Sequence, residues 1–130
     1  MALEIDLSGK TVVITGASRG IGSGLARVFA ARGLKLGLCA RSLATSSDQT
    51  ATSLRAQVDM RDGEAVERFA LAVEQKLGPI DLWVNNAAVL EPVGPLRDLE
   101  TEDVRAHLDT NVIGVFHGAR AYARHLARVK

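Results

Sequence analysis

The stretch Thr15-Gly16-Ala17-Ser18-Arg19-Gly20-Ile21-Gly22 decides the fold of this chain. The residues before it, 10–14, are short, β-branched and apolar enough to form a strand that is buried on both faces. After it, residues 23–32 place apolar side chains at helical spacing, and Gly33 ends that pattern. Three glycines therefore fall in the turn from a buried strand into a helix. Such a turn brings backbone close to a ligand, and its N–H groups and the positive helix end favour a phosphate.

Length and composition describe one ordinary globular domain. The 130 residues allow a single core, and 47% hydrophobic with 24% charged residues argues against disorder. A net charge of +1 gives no support for a nucleic-acid partner. The single cysteine, Cys39, cannot form an internal disulfide, which fits a reducing cytoplasm. Acidic residues at positions 4 and 6 argue against a signal peptide, and no apolar run reaches membrane-spanning length, so we expect a cytoplasmic protein without a membrane partner.

Strands and helices alternate along the rest of the chain. Residues 43–52, rich in Ser, Thr and Ala, predict one short helix, and residues 89–99 predict a loop. The other predicted elements are strands at 35–40, 53–58 and 80–85, a helix from 62 to 77 and a long last helix capped by Thr101. This alternation predicts an α/β fold, a Rossmann-like doubly wound parallel sheet that stops after the fourth strand and a long helix.

Several polar or glycine-rich segments directly follow these predicted strands. They are the glycine turn, Ala40-Arg41, Asp59 and Asn85-Asn86-Ala87. In a doubly wound sheet the ligand lies beyond the carboxyl ends of the strands, where the strand order reverses. We therefore expect these segments to converge on one edge of the sheet and to form one site there.

The same segments carry a resemblance to a known family. The pattern Thr-Gly-x-x-x-Gly-Ile-Gly resembles the cofactor loop of the short-chain dehydrogenase/reductase family. Asn85-Asn86-Ala87-Ala88 is similar to its Asn-Asn-Ala-Gly motif, with Ala88 in place of the last glycine. Asp59 stands where that family has an adenine-contacting Asp, and Asn111 stands where it has a catalytic Asn. The resemblance covers nearly the whole chain, but only the first half of a usual family member.

This resemblance implies a pocket for a nicotinamide dinucleotide. The glycine backbone is expected to approach the adenosine ribose and the pyrophosphate, Asp59 to accept from the adenine amino group, and Met60 to pack on the base. Asn86 and Ala87 are expected to line the adjoining ribose, whereas Asn85 either joins them or ties neighbouring strands together. The cofactor-binding residues so implied are Gly16, Ser18, Arg19, Gly20, Ile21, Gly22, Arg41, Asp59, Met60, Asn86, Ala87 and Ala88.

The end of the second strand predicts NADP(H) rather than NAD(H). Chains that prefer NAD usually carry an acidic residue about 20 positions beyond the glycines, where it holds the ribose 2′-hydroxyl. Here that place reads Ala40-Arg41-Ser42 and has no acid. Arg41 can bind a 2′-phosphate through two hydrogen bonds, and Arg19 resembles the second basic residue of NADP-preferring family members. The alternative is that both are solvated surface arginines.

The catalytic residues that the resemblance implies are mostly missing. The family reduces carbonyls or oxidises alcohols by hydride transfer, with Asn, Ser, Tyr and a Lys four residues after the Tyr. The one tyrosine is Tyr122 and Leu126 stands at the Lys position, so Tyr122 is predicted to be a packing residue. Asn111 is the one catalytic candidate, and we expect no hydride transfer by these 130 residues alone. Two interpretations stay open, an NADP-dependent oxidoreductase represented by its cofactor half and a non-catalytic nucleotide-binding or interaction module.

The last predicted helix carries histidines, arginines and apolar residues. The histidines predict no metal site, because no Cys or carboxylate stands at matching spacing. The arginines predict a solvated face that the helix dipole favours. These residues are His107, His117 and His125, and Arg120, Arg124 and Arg128. In the resembling family this helix helps to form a dimer interface, and the fourth strand is an open edge here, so we expect a homo-oligomer.

Overall fold

The computed structural model describes residues 5–43 and 50–130. A short 3₁₀ turn, Leu96–Asp98, precedes the last two helices, and a π-helical turn, Asp109–Ile113, joins them. The regular elements are β1 (Thr11–Thr15), α1 (Gly20–Ala31), β2 (Lys35–Ala40), β3 (Ser53–Gln57), α2 (Gly63–Leu77), β4 (Leu82–Val84), α3 (Thr101–Leu108) and α4 (Gly114–Val129).

The four strands form one parallel sheet in the order β3-β2-β1-β4. β1 pairs with β2 on one side and with β4 on the other, so the direction of winding reverses between β1 and β4. The fourth strand is shorter than the predicted 80–85, since only Leu82–Val84 pair with β1. The predicted Rossmann-like parallel fold is confirmed, and the reversal beside β1 is the place where such sheets bind ligands.

Helices cover both faces of the sheet. Phe29 and Ala26 of α1 pack on one face, over apolar side chains of β1 and β2. Helix α2 lies on the other face, and the apolar residues along one side of it are all buried: Val66, Phe69, Ala70, Val73 and Leu77. Helix α4 packs beside α2 on that face.

The long last helix differs from its prediction in two details. Its N-cap is Glu100, whose N–H donates to the Asp103 carboxylate at 3.1 Å, so Thr101 is the first helical residue and not the cap. The helix is also interrupted, because the turn at Asp109–Ile113 is π-helical. Such a turn holds one more residue than an α-helical turn and is frequent at functional sites. The predicted single helix is therefore two segments, α3 and α4.

The arginines of α4 pair with helix α2, and Arg124 and Arg128 also remain exposed, so the predicted solvated face is confirmed for those two while its ion pairs were not predicted. Glu67 Oε1 accepts a hydrogen bond from Arg124 Nη1 at 2.8 Å and lies 3.7 Å from Arg120 Nε. Glu74 Oε2 accepts from Arg128 Nη2 at 3.0 Å. Two glutamates of α2 thus bind the arginines of α4.

His125 is fully buried between α2 and the loop that leads into β4. Its Nε2 accepts a hydrogen bond from the Ile80 N–H at 2.9 Å. Because Nε2 is the acceptor, Nδ1 carries the proton, and it donates to Glu74 Oε2 at 2.9 Å. One imidazole therefore connects α4 to both α2 and the sheet.

Tyr122 is a packing residue, as predicted. Its ring stacks against Trp83 and against His125, with centroids 6.2 Å apart in both pairs. Its hydroxyl donates to the Asp81 carbonyl at 2.9 Å. Both ends of the side chain are thus used to hold α4 against the segment around β4.

The sequence also predicts a short helix within residues 43–52, no membrane-spanning segment and no metal site. The short helix predicted within residues 43–52 falls mainly on 44–49, which lie outside the described residues. Across 5–43 and 50–130, no helix combines the length and the hydropathy that a bilayer crossing requires. In the same two ranges no three His, Cys, Asp or Glu side chains are grouped closely enough to hold a metal ion.

Candidate functional site

A cavity of about 430 Å³ lies at the carboxyl edge of the sheet. Its walls come from the turn between β1 and α1, from the ends of β2 and β3, and from the segment that follows β4. The structure brings together every predicted cofactor residue in this wall except Gly22. The lining residues are Gly16, Ser18, Arg19, Gly20, Ile21, Ala40, Arg41, Ser42, Val58, Asp59, Met60, Asn86, Ala87, Ala88, Val89 and Thr110.

The glycine turn packs directly against the segment after β4. Gly16 has φ 67°, and a Cβ atom at this position would lie 2.7 Å from the Ala87 Cα. A Cβ atom at Gly22 would overlap the Gly16 carbonyl oxygen and lie 2.6 Å from Asn86 Nδ2. Gly22 therefore lets α1 pack closely against the glycine turn, although it does not itself line the cavity.

The N-terminus of α1 faces this cavity without a cap. Among the described residues no side chain caps α1, and its first turn has no acidic residue. Helix α2 differs, since Asp62 Oδ1 accepts from the Ala65 N–H at 3.0 Å and Glu64 lies in the first turn. The first N–H groups of a helix have no partner within the helix, and they favour an anion. Helix α1 can thus offer these groups to a phosphate.

Asn86 ties the end of β4 to the glycine turn. Its Nδ2 donates to the carbonyl oxygens of Thr15 and Gly16, at 3.0 and 3.2 Å. The Thr15 hydroxyl oxygen accepts from the N–H groups of Asn86 and Ala87, at 3.0 Å each. The Asn86 amide therefore fixes the wall of the cavity, a role beyond the ribose contact that the sequence predicts.

Asn85 lies outside the cavity wall. Its Oδ1 accepts a hydrogen bond from Nε1 of Trp83, on β4, at 3.0 Å. It also lies against Gly118 of α4, where an added Cβ atom would overlap Asn85 Oδ1. Of the two neighbouring asparagines, Asn86 is the one that connects neighbouring strands.

The end of β3 supplies one side of the cavity. Asp59 lines it, and both carboxylate oxygens are held by Arg61, with Oδ2 accepting from Nη2 at 2.6 Å. Met60 is buried, and its carbonyl oxygen accepts from Nδ1 of His117 on α4 at 2.7 Å. Helix α4 thus fastens the main chain on which the predicted adenine contacts lie.

The charge of Asp59 follows from its two basic neighbours. The hydrogen bond from the Arg61 side chain lowers the pKa of Asp59 below its ordinary value, and the positive charge of Arg41 contributes a smaller effect in the same direction. Partial burial opposes both. Asp59 is therefore ionised throughout the neutral range and presents an acceptor to the cavity.

The end of β2 forms a basic corner of the cavity. Arg41 and Arg19 both line it and are exposed, and within residues 5–43 and 50–130 neither guanidinium forms an ion pair shorter than 4.0 Å. Ser42 Oγ donates to Ser18 Oγ at 3.4 Å between them. Two arginines and two serines thus line the cavity at the place where the sequence predicts a 2′-phosphate.

Asn111 lies in the π-helical turn beside the cavity. Its Oδ1 accepts from the Val89 N–H, and its Nδ2 donates to the Val89 carbonyl oxygen, both at 2.8 Å. The side-chain amide therefore pairs with the main chain of the segment after β4, as a neighbouring strand would. This contact positions a wall of the cavity.

Five lining residues lie outside the set of cofactor-binding residues predicted from the sequence. They are Ala40, Ser42, Val58, Val89 and Thr110. Ser42 and Val89 each follow a residue that was predicted, so a wider window at the strand ends would have found them. Thr110 has no such signal, because it reaches the cavity only through the π-helical turn that contains it.

A parallel α/β sheet with a glycine turn and a cavity where the winding reverses defines a Rossmann-type nucleotide-binding protein. The sequence profile described as "short chain dehydrogenase" matches residues 10–130. The chain therefore belongs to the short-chain dehydrogenase family, which confirms the resemblance stated from its motifs.

Known proteins of this family resemble the chain in sequence and in structure. It is 34% identical over 128 residues to 3beta-hydroxysteroid dehydrogenase 1 of Eggerthella lenta, and the matched region covers 92% of this chain and 49% of that protein. A 3-ketoacyl-(acyl-carrier-protein) reductase of Brucella melitensis complexed with NADH superposes with a TM-score of 0.84 at 29% identity, over 92% of this chain and 51% of that one. A short-chain dehydrogenase/reductase of Burkholderia phymatum in complex with NAD gives 0.84 at 32% identity, over 93% and 45%. The chain spans about half the length of these relatives.

Proposed function

We propose that the cavity binds a nicotinamide dinucleotide and that residues 1–130 are the cofactor-binding half of a short-chain dehydrogenase. The observation that carries this proposal is the uncapped start of α1 beside a turn in which Gly16 and Gly22 leave no room for side chains. A pyrophosphate fits such a cradle, because main-chain N–H groups can approach its oxygens closely. The solved relatives with NADH and NAD in their descriptions are consistent with a dinucleotide of this type.

The proposed cofactor is NADP(H) in preference to NAD(H). NAD and NADP differ by one phosphate on the adenosine ribose, and the basic corner at Arg19 and Arg41 supplies the charges that would bind it. Ser18 and Ser42 add hydroxyl donors at the same corner. Ala40-Arg41-Ser42 has no carboxylate that would repel the phosphate or hold a free ribose hydroxyl.

Replacing both Arg19 and Arg41 by alanine tests this preference. We expect the dissociation constant of NADPH to rise about 30-fold, since each exposed charge-assisted hydrogen bond contributes about 1 kcal/mol or more. The dissociation constant of NADH should change by less than about twofold, because NADH lacks the phosphate. Isothermal titration calorimetry with both nucleotides measures the two constants.

The control variant is Arg27→Ala, which removes an exposed arginine of α1 that does not line the cavity. It should leave both constants unchanged. An unchanged ratio of NADPH to NADH affinity in the double variant contradicts the proposed preference, and no binding of either nucleotide to the unmodified protein contradicts the proposed site.

The reaction we propose for the whole protein is reduction of a carbonyl or oxidation of an alcohol on a small molecule. A bound nicotinamide supplies or accepts the hydride. Within these residues Asn111 is the proposed catalytic residue, and its amide also holds the Val89 main chain. A Tyr-x-x-x-Lys segment encoded in the reading frame after Lys130 would support this reaction, whereas a stop codon there with retained NADPH binding would support a non-catalytic nucleotide-binding module.

We also propose that the protein works in the cytoplasm. Cys39 is buried in β2, and burial raises the pKa of its thiol to about 12. Such a thiol stays protonated and unreactive at neutral pH. A reducing compartment suits a chain whose single cysteine is used for packing.

A homo-oligomer through the outer face of α3 and α4 is the last part of the proposal. Apolar side chains at helical spacing are exposed there, among them Leu108 at 51%, Val112 at 55% and Phe116 at 54%. Exposed apolar surface of this kind is typical of an interface. β4 is also at the edge of the sheet in the described part of the chain, with Leu82 42% exposed.

Replacing Val112 and Phe116 by glutamate should convert the oligomer to a monomer. Two buried carboxylates without partners would destabilise an apolar interface by several kcal/mol, whereas both side chains are half exposed in one subunit. Light scattering coupled to size-exclusion chromatography measures the mass. The control is Val129→Glu, which changes an exposed apolar residue at the far end of α4 and should leave the mass unchanged. A monomeric unmodified protein at micromolar concentration would contradict the proposal.

A further inference from the structure

We propose that Arg61 determines which purine the cavity accepts, because it holds the Asp59 carboxylate in the one orientation that favours a 6-amino group over a 6-oxo group. This inference rests on the proposed function, since it assumes that a nucleotide base lies against Asp59. It goes further by assigning a specificity-determining role to a residue that does not itself line the cavity.

Arg61 donates hydrogen bonds to both carboxylate oxygens of Asp59. Asp59 Oδ1 accepts from the Arg61 main-chain N–H and from Nε, both at 3.0 Å. Oδ2 accepts from Nε at 3.0 Å and from Nη2 at 2.6 Å. A main-chain donor and a planar guanidinium thus bind the same carboxylate. Rotation of the carboxylate would therefore break several bonds at once.

Arg61 leaves part of the hydrogen-bonding capacity of the Asp59 carboxylate unused. A carboxylate can accept about four hydrogen bonds, and Arg61 supplies three N–H donors. Among the described residues this leaves room for one further donor, and Asp59 lines the cavity with a side chain that is 33% exposed. An adenine amino group offers such a donor. Hypoxanthine and guanine instead present a carbonyl oxygen at that position, which an ionised carboxylate repels.

The surrounding charges keep this arrangement in place. Within residues 5–43 and 50–130, Arg41 from the end of β2 also acts on Asp59, and it too lowers the pKa of Asp59. Arg61 is itself attracted by Asp109 at the start of the π-helical turn, and both carboxylates raise the pKa of its guanidinium. Both effects favour the charged form of Arg61.

The experiment compares two nucleotides that differ only at the base. NADPH and its reduced hypoxanthine analogue are titrated by calorimetry into the intact protein and into Arg61→Gln. We expect the unmodified protein to bind NADPH about tenfold more tightly than the analogue, as one hydrogen bond to a charged group implies. In Arg61→Gln this ratio should fall to about twofold, because the carboxylate is then free to rotate.

Two further variants separate specificity from a general structural effect. Arg61→Lys keeps the charge but lacks the planar fork, so its ratio should lie between the other two. Arg68→Gln removes an exposed arginine on α2 that pairs with Glu64, at 3.8 Å, and should leave the ratio unchanged. Thermal unfolding of each variant confirms that it is folded at the temperature of titration.

A pH series gives a readout that loss of packing would not produce. This series uses NADP+ and its hypoxanthine analogue, because the reduced nucleotides decompose in acid. The preference for the adenine nucleotide over the hypoxanthine nucleotide requires an ionised Asp59, so it is lost as the pH falls through the pKa of Asp59 in the folded protein. Arg61 lowers that pKa, and the loss should therefore occur at higher pH in Arg61→Gln than in the unmodified protein.

The possible results lead to different conclusions. An unchanged tenfold ratio and an unchanged pH profile in Arg61→Gln, with NADPH still bound, would overturn the role of Arg61 alone. Failure of the unmodified protein to bind either nucleotide would overturn the proposed function, and the present inference with it. A reduced ratio in Arg61→Gln, with Arg68→Gln unchanged, supports the assignment.

Discussion

Gly22→Ala is expected to destabilise the protein by about 3 kcal/mol or more and to weaken NADPH binding at least about 100-fold. The added methyl group would overlap the Gly16 carbonyl oxygen and approach Asn86 Nδ2 to 2.6 Å. The glycine turn must then move away from the segment after β4, which breaks the Asn86 hydrogen bonds to Thr15 and Gly16. Urea denaturation measures the first effect and calorimetry with NADPH measures the second.

Gly24→Ala is the matched control, two residues further along the same helix. A Cβ atom at Gly24 meets no atom within 4 Å, and alanine is the better helix former. This variant should gain about 0.5 to 1 kcal/mol of stability and bind NADPH like the unmodified protein. Equal stability of the two variants would show that α1 does not approach the glycine turn as closely as described.

His125→Ala is expected to lower the free energy of unfolding by about 3 to 5 kcal/mol. It would leave a cavity under α4 and a buried Ile80 N–H without its acceptor, since Nε2 now accepts that bond at 2.9 Å. It would also remove one wall of the stack with Tyr122. Thermal and urea denaturation, followed by circular dichroism, measure the loss.

His125→Gln is the control for the hydrogen bond to the sheet, because its side-chain oxygen can accept from the Ile80 N–H. It should recover about 1 kcal/mol or more of the loss.

Acid sensitivity offers a second test. The His125 hydrogen bond is the main reason that the pKa of Glu74 is lowered, with Arg128 next. That stabilisation is present above the ordinary carboxyl pKa and is lost as pH falls through the lowered one, so the acid-induced loss should be smaller in His125→Ala. An Ala variant as stable as the unmodified protein would contradict this account of α4.

The parts of the fold that depend on local pattern could be predicted from the sequence. The apolar run in β1 and the helical spacing of Val66, Phe69 and Val73 reflect burial, which shapes a sequence directly. The parallel direction of the strands followed from their alternation with helices, and segments that follow parallel strands meet at one edge of the sheet. For that reason the sequence identified most of the residues that line the cavity.

Features that depend on contacts between distant elements could not be predicted. Nothing in the spacing of Arg120, Arg124 and Arg128 shows that Glu67 and Glu74 of another helix lie opposite them. A π-helical turn has no apolar period of its own, so the sequence around Asp109–Ile113 reads as regular helix.

Side-chain partners were equally hard to infer within the site. The sequence assigns Asn86 to the ribose, but the structure uses its amide to join β4 to the glycine turn. It assigns Asp59 to the base without any sign that Arg61, two residues on, holds both oxygens. Short motifs identify which residues meet at a site, whereas the division of hydrogen bonds among them depends on angles that only the folded chain defines.

The π-helical turn also changes the phase of the helix. A regular helix rotates by about 100° per residue, so the extra residue at Asp109–Ile113 offsets everything after it by that angle. On one side of the offset, His107 of α3 reaches the Glu91 carbonyl at 2.8 Å; on the other, α4 presents His125 to the core. The two helices thus follow one another without a break in the chain and still face different neighbours.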